Sequence, residues 1–266
     1  MKINKKCIGE GSFCKVYEAT DSKGRVYAVK VEPKVNNNNY LESESQIHFS
    51  LYKADVEQKY VVPVYDFISD EKYNFLVMKR LFMSLGDVQK KLNENFDEYS
   101  IRNIAKRLIE ILKFTHKNNI CHCDIKPENI MISQDFQNIY LIDYGLSRYY
   151  IKNGNHIPLK TDVNNGGTLR YMSVHTNHKI EISRRDDLIS LGYVLVYLQK
   201  GSLPWQPIPM KNRFSKVAEM KLEIKFEELC KDCVPELIPY LEYCYKLGFE
   251  DEPDYDYLIN LFNLKE

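Results

Sequence analysis

The sequence has no net charge and no segment that would direct it out of the cell. Lysine plus arginine (37) equals aspartate plus glutamate (37), so there is no global reason to expect nucleic acid or an anionic membrane as a partner. The N-terminus has no apolar stretch of signal-peptide length, and the longest apolar run, residues 191–198, falls far short of the ~20 residues of a spanning helix. We expect an intracellular monomer in the cytoplasm, the nucleus or both, without a nucleic-acid or membrane partner.

The sequence also lacks the even, clustered cysteines of a disulfide framework. It has seven cysteines, and in a protein without an export signal these are expected to be reduced thiols. Cys230 and Cys233 form a C-x-x-C, with Cys244 downstream. A zinc site is one interpretation of this pattern. No second metal-like pair follows it, so buried or half-buried helical thiols are the better interpretation.

The first eighty residues predict a small β-rich lobe. Short runs of β-branched and aromatic residues, separated by glycines and polar turns, indicate strands at residues 3–8, 15–20, 26–32, 61–68 and 72–78. A single helix is predicted at residues 39–53, after the polar loop 36–39. We expect these elements to form a five-stranded antiparallel sheet with one helix.

After Met78 the pattern becomes helical. Helices are predicted at residues 98–118, 185–199, 213–229, 235–246 and 254–263. The first has one apolar face, formed by Ile101, Ile104, Ala105, Leu108, Ile111, Leu112 and Thr115. The second is apolar nearly all round and should lie in the middle of a core. The fold class is therefore α+β, with a first lobe at about 1–78, a hinge at about 79–83 and a second lobe at about 84–266.

Two stretches carry the polar residues that suggest chemistry. They are residues 121–130, CHCDIKPENI, and residues 141–145, LIDYG. Apolar residues surround four polar side chains in these stretches: Asp124, Lys126, Asn129 and Asp143. Strands at 130–132 and 139–142 are predicted to form a β-hairpin that brings the last of these back beside the third.

These four residues match the needs of phosphoryl transfer from a nucleotide. That reaction requires a carboxylate near the attacking hydroxyl, oxygen ligands for magnesium and a cation near the transferred phosphate. Asp124 would position the hydroxyl, and Lys126 would neutralise charge on the transferred group. Asn129 and Asp143 would supply hard oxygen ligands to magnesium. The alternative is a surface loop with four unrelated polar residues, which would leave the agreement of all four spacings to chance.

A glycine loop and a strand lysine complete the pattern. Gly9 and Gly11 lie in IGEGSFCKV, where two glycines between strands allow the backbone to approach phosphate oxygens. A glycine turn in a hairpin would look the same, but Lys30 follows on the third predicted strand. A lysine in an apolar strand is costly unless it is paired. Of the two glutamates in the predicted helix, we choose Glu44 over Glu42 as its partner.

At these residues the chain resembles eukaryotic protein kinases, over essentially its whole length. The matching strings are IGEGSFCKV, AVK, HCDIKPEN, DYG and RRDDLISLG. Within that family the chain resembles casein kinase 1, on the strings GGTLRYMSVHTN, SRRDDLISLGYVL, GSLPWQ and FEDEPDYDYLINLF. DYG and a missing arginine in HCD also resemble the related vaccinia-related kinases, but GSLPWQ favours casein kinase 1.

The resemblance implies a kinase domain over residues 1–266 that uses ATP and Mg²⁺ and phosphorylates Ser or Thr of proteins. It implies catalytic roles for Asp124, Lys126 and Asn129, and magnesium binding by Asn129 and Asp143. The nucleotide would be bound by the phosphate-loop glycines Gly9 and Gly11, the ion pair of Lys30 with Glu44, the adenine-contacting Ile8, Val16, Ala28 and Met131, the gatekeeper Met78 and the hinge residue Leu81. Asp187 would brace the catalytic loop through backbone N–H groups.

Three residues depart from the family pattern. Cys14 replaces the third glycine of the loop and would narrow the roof over the phosphates, whereas Tyr144 for phenylalanine should change little. Cys123 stands where most protein kinases have the arginine that pairs with a phosphorylated activation loop, and a thiol cannot form that pair. We therefore expect activity without activation-loop phosphorylation. For a chain that ends at Glu266, we also expect no inhibition by a C-terminal tail.

The resemblance also implies a preference for acidic or already phosphorylated substrates. Arg170 in GGTLR matches one member of a basic anion site, and Arg213 is aligned with a second. Two arginines can bind a phosphate in forked geometry, although solvated surface arginines would look the same in the sequence.

Two other functions compete with a Ser/Thr kinase. A pseudokinase that binds nucleotide as a scaffold would have the same fold, but no catalytic position is missing here. A small-molecule phosphotransferase would lack the GTLRYMS and SRRDDL region that shapes a peptide platform. Lys126 in DIKPEN is the form found in Ser/Thr kinases rather than tyrosine kinases.

Overall fold

The computed structural model describes residues 1–11, 14–35, 39–206 and 213–263. The chain divides into two compact units: Met1–Met83 with Met131–Gly145, and Ser84–Ile130 with Leu146–Glu266. The first is rich in strands and the second in helices, which confirms the predicted α+β class with a β-rich N-terminal lobe and a helical C-terminal lobe. The numerical boundaries of the lobes and the hinge stay predictions.

The first unit is built on a five-stranded sheet. Its strands are β1 (Lys2–Glu10), β2 (Lys15–Thr20), β3 (Val26–Pro33), β4 (Val64–Ser69) and β5 (Tyr73–Lys79). Every neighbouring pair is antiparallel, in the order β1-β2-β3-β5-β4, which confirms the prediction. β4 begins later than predicted, because the N–H of Val61 donates to the carboxylate of Asp55 (2.8 Å) and not to the sheet.

One helix, α1 (Tyr40–Ala54), accompanies this sheet, close to its predicted bounds. Leu41 of α1 packs in an apolar cluster with Val64 and Leu76 of the sheet. Of the preceding polar loop, residues 36–38 lie outside the described residues.

A β-hairpin follows the stretch 121–130, as predicted. Its strands are β8 (Ile130–Ile132) and β9 (Ile139–Leu141), which are hydrogen-bonded neighbours. The N–H of Ser133 donates to the carbonyl of Asn138 (2.9 Å) and closes the connection between them. Tyr140 and Met131 of the hairpin pack with Val62 and Leu81 in the first unit.

The second unit consists mainly of helices. They are α2 (Leu85–Leu92), α3 (Glu98–Lys117), α4 (Val174–Asn177), α5 (Arg184–Lys200), α6 (Arg213–Glu223), α7 (Phe226–Leu229), α8 (Leu237–Lys246) and α9 (Tyr255–Leu261). Short strands complete the chain: β6 (Met83–Ser84), β7 (Ile120–Cys121), β10 (Arg148–Tyr149), β11 (Ile151–Lys152) and β12 (Asn155–His156). β7 pairs with β10, and β11 pairs with β12.

The two helices with the clearest sequence patterns, α3 and α5, form the centre of this unit. All seven residues of the predicted apolar face of α3 are buried. α5 is buried from Asp186 to Val196, which confirms its predicted place in the core. A capping box fixes its start, because the N–H of Ser183 donates to the carboxylate of Asp186 (2.8 Å).

Sequence periodicity did not predict the shortest elements, and it predicted one helix where the structure has two. α4 and the two-residue strands are too short to show a period. The helix predicted at residues 213–229 is instead two helices, α6 and α7, separated by Ile224 and Lys225. Glu228 and Leu229 donate their N–H groups to the carbonyl of Lys225, which starts a new helix there. None of the helices in the described part of the chain combines the length and apolar character needed to cross a membrane.

Candidate active site

In the first unit, the predicted ion pair of Lys30 is present and includes a second carboxylate. The Nζ of Lys30 donates to both oxygens of Glu44 (2.8 and 2.6 Å) and to Oδ1 of Asp143 (2.7 Å). Burial by itself lowers the pKa of Lys30, but the two carboxylates outweigh it and raise the pKa above its ordinary value. The lysine is therefore a fixed cation.

The carboxylate of Glu32, on the same strand as Lys30, places Glu44 beside the lysine. Glu32 is two residues along β3, so its side chain lies on the same face of the sheet as Lys30. Its buried carboxylate accepts the N–H of Leu41 at the start of α1 (3.2 Å to each oxygen) and the amide of Asn74 (2.9 Å). Because α1 is attached to β3 at its first turn, Glu44 lies one turn further on, against the lysine.

Two of the predicted adenine-contacting residues, Val16 and Ala28, lie on this face of the sheet together with the predicted gatekeeper Met78. Val16 is paired with Lys30 across β2 and β3, and Ala28 is paired with Met78 across β3 and β5. Side chains opposite each other on neighbouring strands lie on the same face. Met78 and Met131 both pack against the apolar cluster that contains Leu81 in the first unit.

The glycine loop is described only at its two ends. Ile8 and Gly9 lie near the end of β1, where Gly9 is paired with Val16. The N–H of Gly11 donates to the carbonyl of Cys14 (2.9 Å), and residues 12 and 13 lie outside the described residues. The Cys14 side chain is buried in the apolar cluster of Leu41, and burial raises its pKa to about 12. It packs as a core residue, and the prediction that its side chain narrows the roof over the phosphates stays a prediction.

In the second unit, three predicted catalytic residues lie together. Oδ2 of Asp124 accepts the Nζ of Lys126 (2.5 Å), and the amide nitrogen of Asn129 donates to the same oxygen (3.2 Å) and to the Asp124 carbonyl (3.0 Å). The other carboxylate oxygen, Oδ1, accepts both the N–H (3.1 Å) and the hydroxyl (3.0 Å) of Thr168. Asp124 is 8% exposed, so its carboxylate is held in a single orientation.

The loop that carries Asp124 is shaped by its backbone. Cys123 has a φ of 69°, which is uncommon for a residue with a side chain, and Pro127 begins a 3-10 turn that ends at Asn129. Asp187, near the start of α5, accepts the backbone N–H groups of His122 (2.7 Å) and Cys123 (2.8 Å). The predicted bracing by Asp187 is therefore present.

His116 joins this bracing contact from α3. Its Nε2 donates to Oδ2 of Asp187 (2.9 Å), and its Nδ1 accepts the hydroxyl of Tyr255 (2.6 Å). Burial by itself raises the pKa of Asp187, but the hydrogen bonds from His116 and the loop outweigh it and hold the pKa below its ordinary value. The carboxylate stays ionised and keeps both loop amides bound.

The two arginines of the predicted anion site both lie in the second unit. The guanidinium of Arg170 lies over the rings of Tyr171 and Tyr197, 5.7 and 5.4 Å from their centroids. Arg213 is the first residue of α6. In both side chains Nε is buried and has no hydrogen-bond partner among the described residues.

The three cysteines near the C-terminus are not among the described side chains that lie close enough together to share one ion. Among the described residues, the side chains close enough together to share an ion are His116, Cys121 and Asp187, not Cys230, Cys233 and Cys244. The Asp187 carboxylate already accepts three N–H groups, which accounts for this grouping without an ion. The helical-thiol interpretation fits Cys244, which is buried in α8, whereas Cys230 is buried directly after the end of α7.

Some contacts of the site were not predicted. No sequence pattern indicated that Asp143 bonds Lys30 or that Thr168 bonds Asp124, although the glycine pair before Thr168 marks a turn. Asn129 and Asp143 belong to different units, so their joint binding of magnesium stays a prediction.

The family model described as the protein kinase domain matches residues 3–247, which is nearly the whole chain. It includes every site residue predicted above.

The bracing carboxylate allows a test of stability. Asp187→Asn keeps the shape of the side chain but replaces one acceptor oxygen with an NH₂ group that cannot accept an N–H. We expect the free energy of unfolding in urea to fall by about 2–4 kcal/mol at pH 7. Asp256→Asn is the control, because Asp256 is in an exposed ion pair with Lys113 and should matter little.

The same variant has an expected pH dependence. Because the folded state lowers the pKa of Asp187, its stabilisation is complete above the unfolded pKa of about 3.9 and is lost as pH falls through the folded-state pKa. Asp187→Asn should therefore lose less stability than the wild type on acidification below about pH 4. Parallel acid profiles for the two proteins would contradict this role.

Proposed function

The chain belongs to the protein kinase family, and on that basis we propose that it is a serine/threonine kinase resembling casein kinase 1. It transfers the γ-phosphate of ATP to Ser or Thr of protein substrates. The observation that carries the proposal is the arrangement at Asp124, whose carboxylate is bonded by Lys126, Asn129 and Thr168.

Each of these contacts suits a step of phosphoryl transfer. The Asp124 carboxylate orients the substrate hydroxyl and accepts its proton as the oxygen attacks the γ-phosphorus. Lys126, bonded to Asp124, supplies positive charge where negative charge develops on the transferred group. Thr168 holds the other carboxylate oxygen, so that the hydroxyl meets a fixed acceptor.

The residues of the first unit suit the nucleotide. Lys30 is held as a cation by Glu44 and Asp143, and we propose that it binds the α- and β-phosphates. Apolar contacts for adenine come from Ile8, Val16, Ala28 and Met131. Met78 is the gatekeeper, Leu81 supplies backbone hydrogen bonds, and Gly9 and Gly11 cover the phosphates.

The donor set also fits Mg²⁺. A carboxylate and an amide oxygen, from Asp143 and Asn129, are hard ligands of the kind this ion prefers. The amide nitrogen of Asn129 donates to Asp124, so the amide oxygen of Asn129 is the atom that would bind a cation. When bound, the ion would neutralise charge on the phosphates.

Replacing Asp124 tests the catalytic assignment. Asp124→Asn should lower kcat for phosphorylation of casein or a peptide by about 10²- to 10⁴-fold, because the amide cannot accept the hydroxyl proton. Binding of a fluorescent ATP analogue should persist, and the exposed Asp66→Asn should behave as wild type. A scaffold that binds nucleotide without catalysis would show no transfer in the wild type, and equal transfer by Asp124→Asn would also contradict the proposal.

Independence from activation-loop phosphorylation is supported by the surroundings of Cys123. The thiol cannot pair with a phosphate, and the nearby Arg148 is already engaged. Its guanidinium donates to the carboxylate of Glu181 (2.8 Å) and to the side-chain oxygen of Asn165 (3.3 Å). We propose that Glu181 supplies within the chain the negative charge that a phosphate supplies in regulated kinases.

Phosphatase treatment tests this independence. Enzyme treated with phosphatase, and shown by mass spectrometry to carry no phosphate on residues 144–177, should keep kcat/KM within about twofold of untreated enzyme. The Arg148–Glu181 pair needs no modification to form. Loss of activity that is restored by phosphorylation of this loop would refute the idea.

The preference for acidic or phosphorylated substrates is proposed for Arg170 and Arg213. Both are half-buried arginines whose Nε lacks a partner among the described residues, and Arg170 is held in place by two tyrosine rings. A guanidinium fixed in this way can bind phosphate with little loss of side-chain entropy.

A pair of peptides tests the anion site. The wild type should favour a peptide with phosphoserine three residues before the target over the unmodified peptide, and Arg170→Ala should reduce that ratio of kcat/KM by about 10- to 100-fold. Arg25→Ala, which removes an exposed arginine of the first unit, should leave the ratio unchanged. Equal use of both peptides by the wild type would remove the hypothesis.

A further inference from the structure

Lys221 on α6 is a buried lysine that the proposed reaction does not use. It is 1% exposed, and in the described ranges no carboxylate bonds it. Its Nζ donates instead to the carbonyls of Leu169 (2.9 Å) and Met172 (2.7 Å) and to the side-chain oxygen of Asn177 (2.9 Å). The ammonium therefore has three acceptors for its three protons.

Aromatic rings enclose the same ammonium. The Nζ of Lys221 lies 5.1 Å from the ring centroids of both Tyr193 and Trp205. Burial lowers the pKa of Lys221, whereas the three acceptors and the two ring faces favour the charged form. A neutral amine has two protons to donate, so it would leave one of the three acceptors unbound.

If the side chain at this position only filled space, leucine or methionine would be more favourable to bury than a lysine. Removing an ammonium from water is unfavourable, and well-placed partners only offset that loss of hydration. The hydrogen bonds of Lys221 therefore hold the groups that accept them in place.

They hold the segment 168–172, TLRYM, from one side. The carbonyl of Thr168 accepts the N–H groups of Tyr171 (2.8 Å) and Met172 (3.0 Å) within the segment. The carbonyl of Arg170 accepts the indole N–H of Trp205 (2.8 Å). Together with the two carbonyls bonded by Lys221, the segment has nearly all its acceptors occupied, which fixes its backbone.

The segment 168–172 carries two groups of the proposed site. Thr168, next to the first carbonyl that Lys221 holds, bonds Asp124 through its N–H and hydroxyl. Arg170, next to it on the other side, is the first arginine of the proposed anion site. Any shift of these carbonyls would move both groups together.

We infer that Lys221 is a positioning residue for the protein substrate. It holds the segment 168–172 so that Thr168 stays on Asp124 and Arg170 faces the anionic group of the substrate. Lys221 touches neither the substrate nor the nucleotide. The inference rests on the proposed function, because it takes Asp124 as the residue that meets the substrate hydroxyl.

The test compares Lys221→Met with wild type and with Lys246→Met, which removes an exposed lysine from α8. Methionine preserves length but donates no hydrogen bond. For the phosphorylated peptide we expect KM to rise by about 10- to 100-fold, because displacement of positioning groups by about 1 Å has effects of this size. The Kd for a fluorescent ATP analogue should stay within about twofold, and Lys246→Met should match wild type throughout.

Hydrogen exchange gives a readout that does not depend on catalysis. Amides of residues 171 and 172 should exchange faster in Lys221→Met by about tenfold or more, whereas amides of α3 and α5 should stay protected. Lys221→Gln, whose amide can still donate two hydrogen bonds, should lie between wild type and Lys221→Met in both exchange and KM. If Lys221→Met does not fold, Lys221→Gln tests the positioning role by the same two measurements.

The outcomes separate the inference from the proposed function. Unchanged KM for the peptide, or an equal weakening of ATP binding, would overturn the positioning role of Lys221. Faster exchange spread over the whole second unit would overturn it as well, since that indicates general destabilisation. A wild-type protein that transfers no phosphate would refute the proposed function, and the exchange data would still decide whether Lys221 holds this segment.

Discussion

The loop that carries Asp124 depends on one buried carboxylate. Asp187 accepts two successive backbone N–H groups of that loop and the imidazole N–H of His116. The loop backbone passes through a positive φ at Cys123, a conformation that it would not hold without support. The chemistry proposed for Asp124 therefore rests on a residue that performs none of it, placed on α5 in the core of the second unit.

The same physical rule governs the other charged groups of the molecule. A charge removed from water is stable only where partners replace the water. Lys30 has two carboxylates, Asp124 has a lysine, an amide and a threonine, and Lys221 has carbonyls and aromatic rings. Each set of partners also fixes the orientation of its charge. The contacts that stabilise these buried charges are thus the same contacts that align the proposed catalytic groups.

Cys123 changes how the activation segment is held. Where a kinase has arginine at this position, the loop can wait for a phosphate to complete its contacts. In this chain Arg148 bonds Glu181 directly, and Thr168 bonds Asp124 without any modified residue. The structure thus offers acidic and hydroxyl groups of the chain itself for contacts that a switch would otherwise control. This supports the proposal of an enzyme that is active as synthesised.

The sequence alone determined the groups whose partners are local or whose elements are long. The spacing of Asp124 and Asn129 around a proline predicted their tight loop. The periodicity of the helix that carries Glu44 predicted the partner of Lys30. Only the tertiary structure decided that Asp143 bonds Lys30 across 113 positions, and that Lys221 reaches residues about fifty positions earlier. Such contacts depend on which elements pack together, and a period of two or 3.6 residues reports which face is buried but not what covers it.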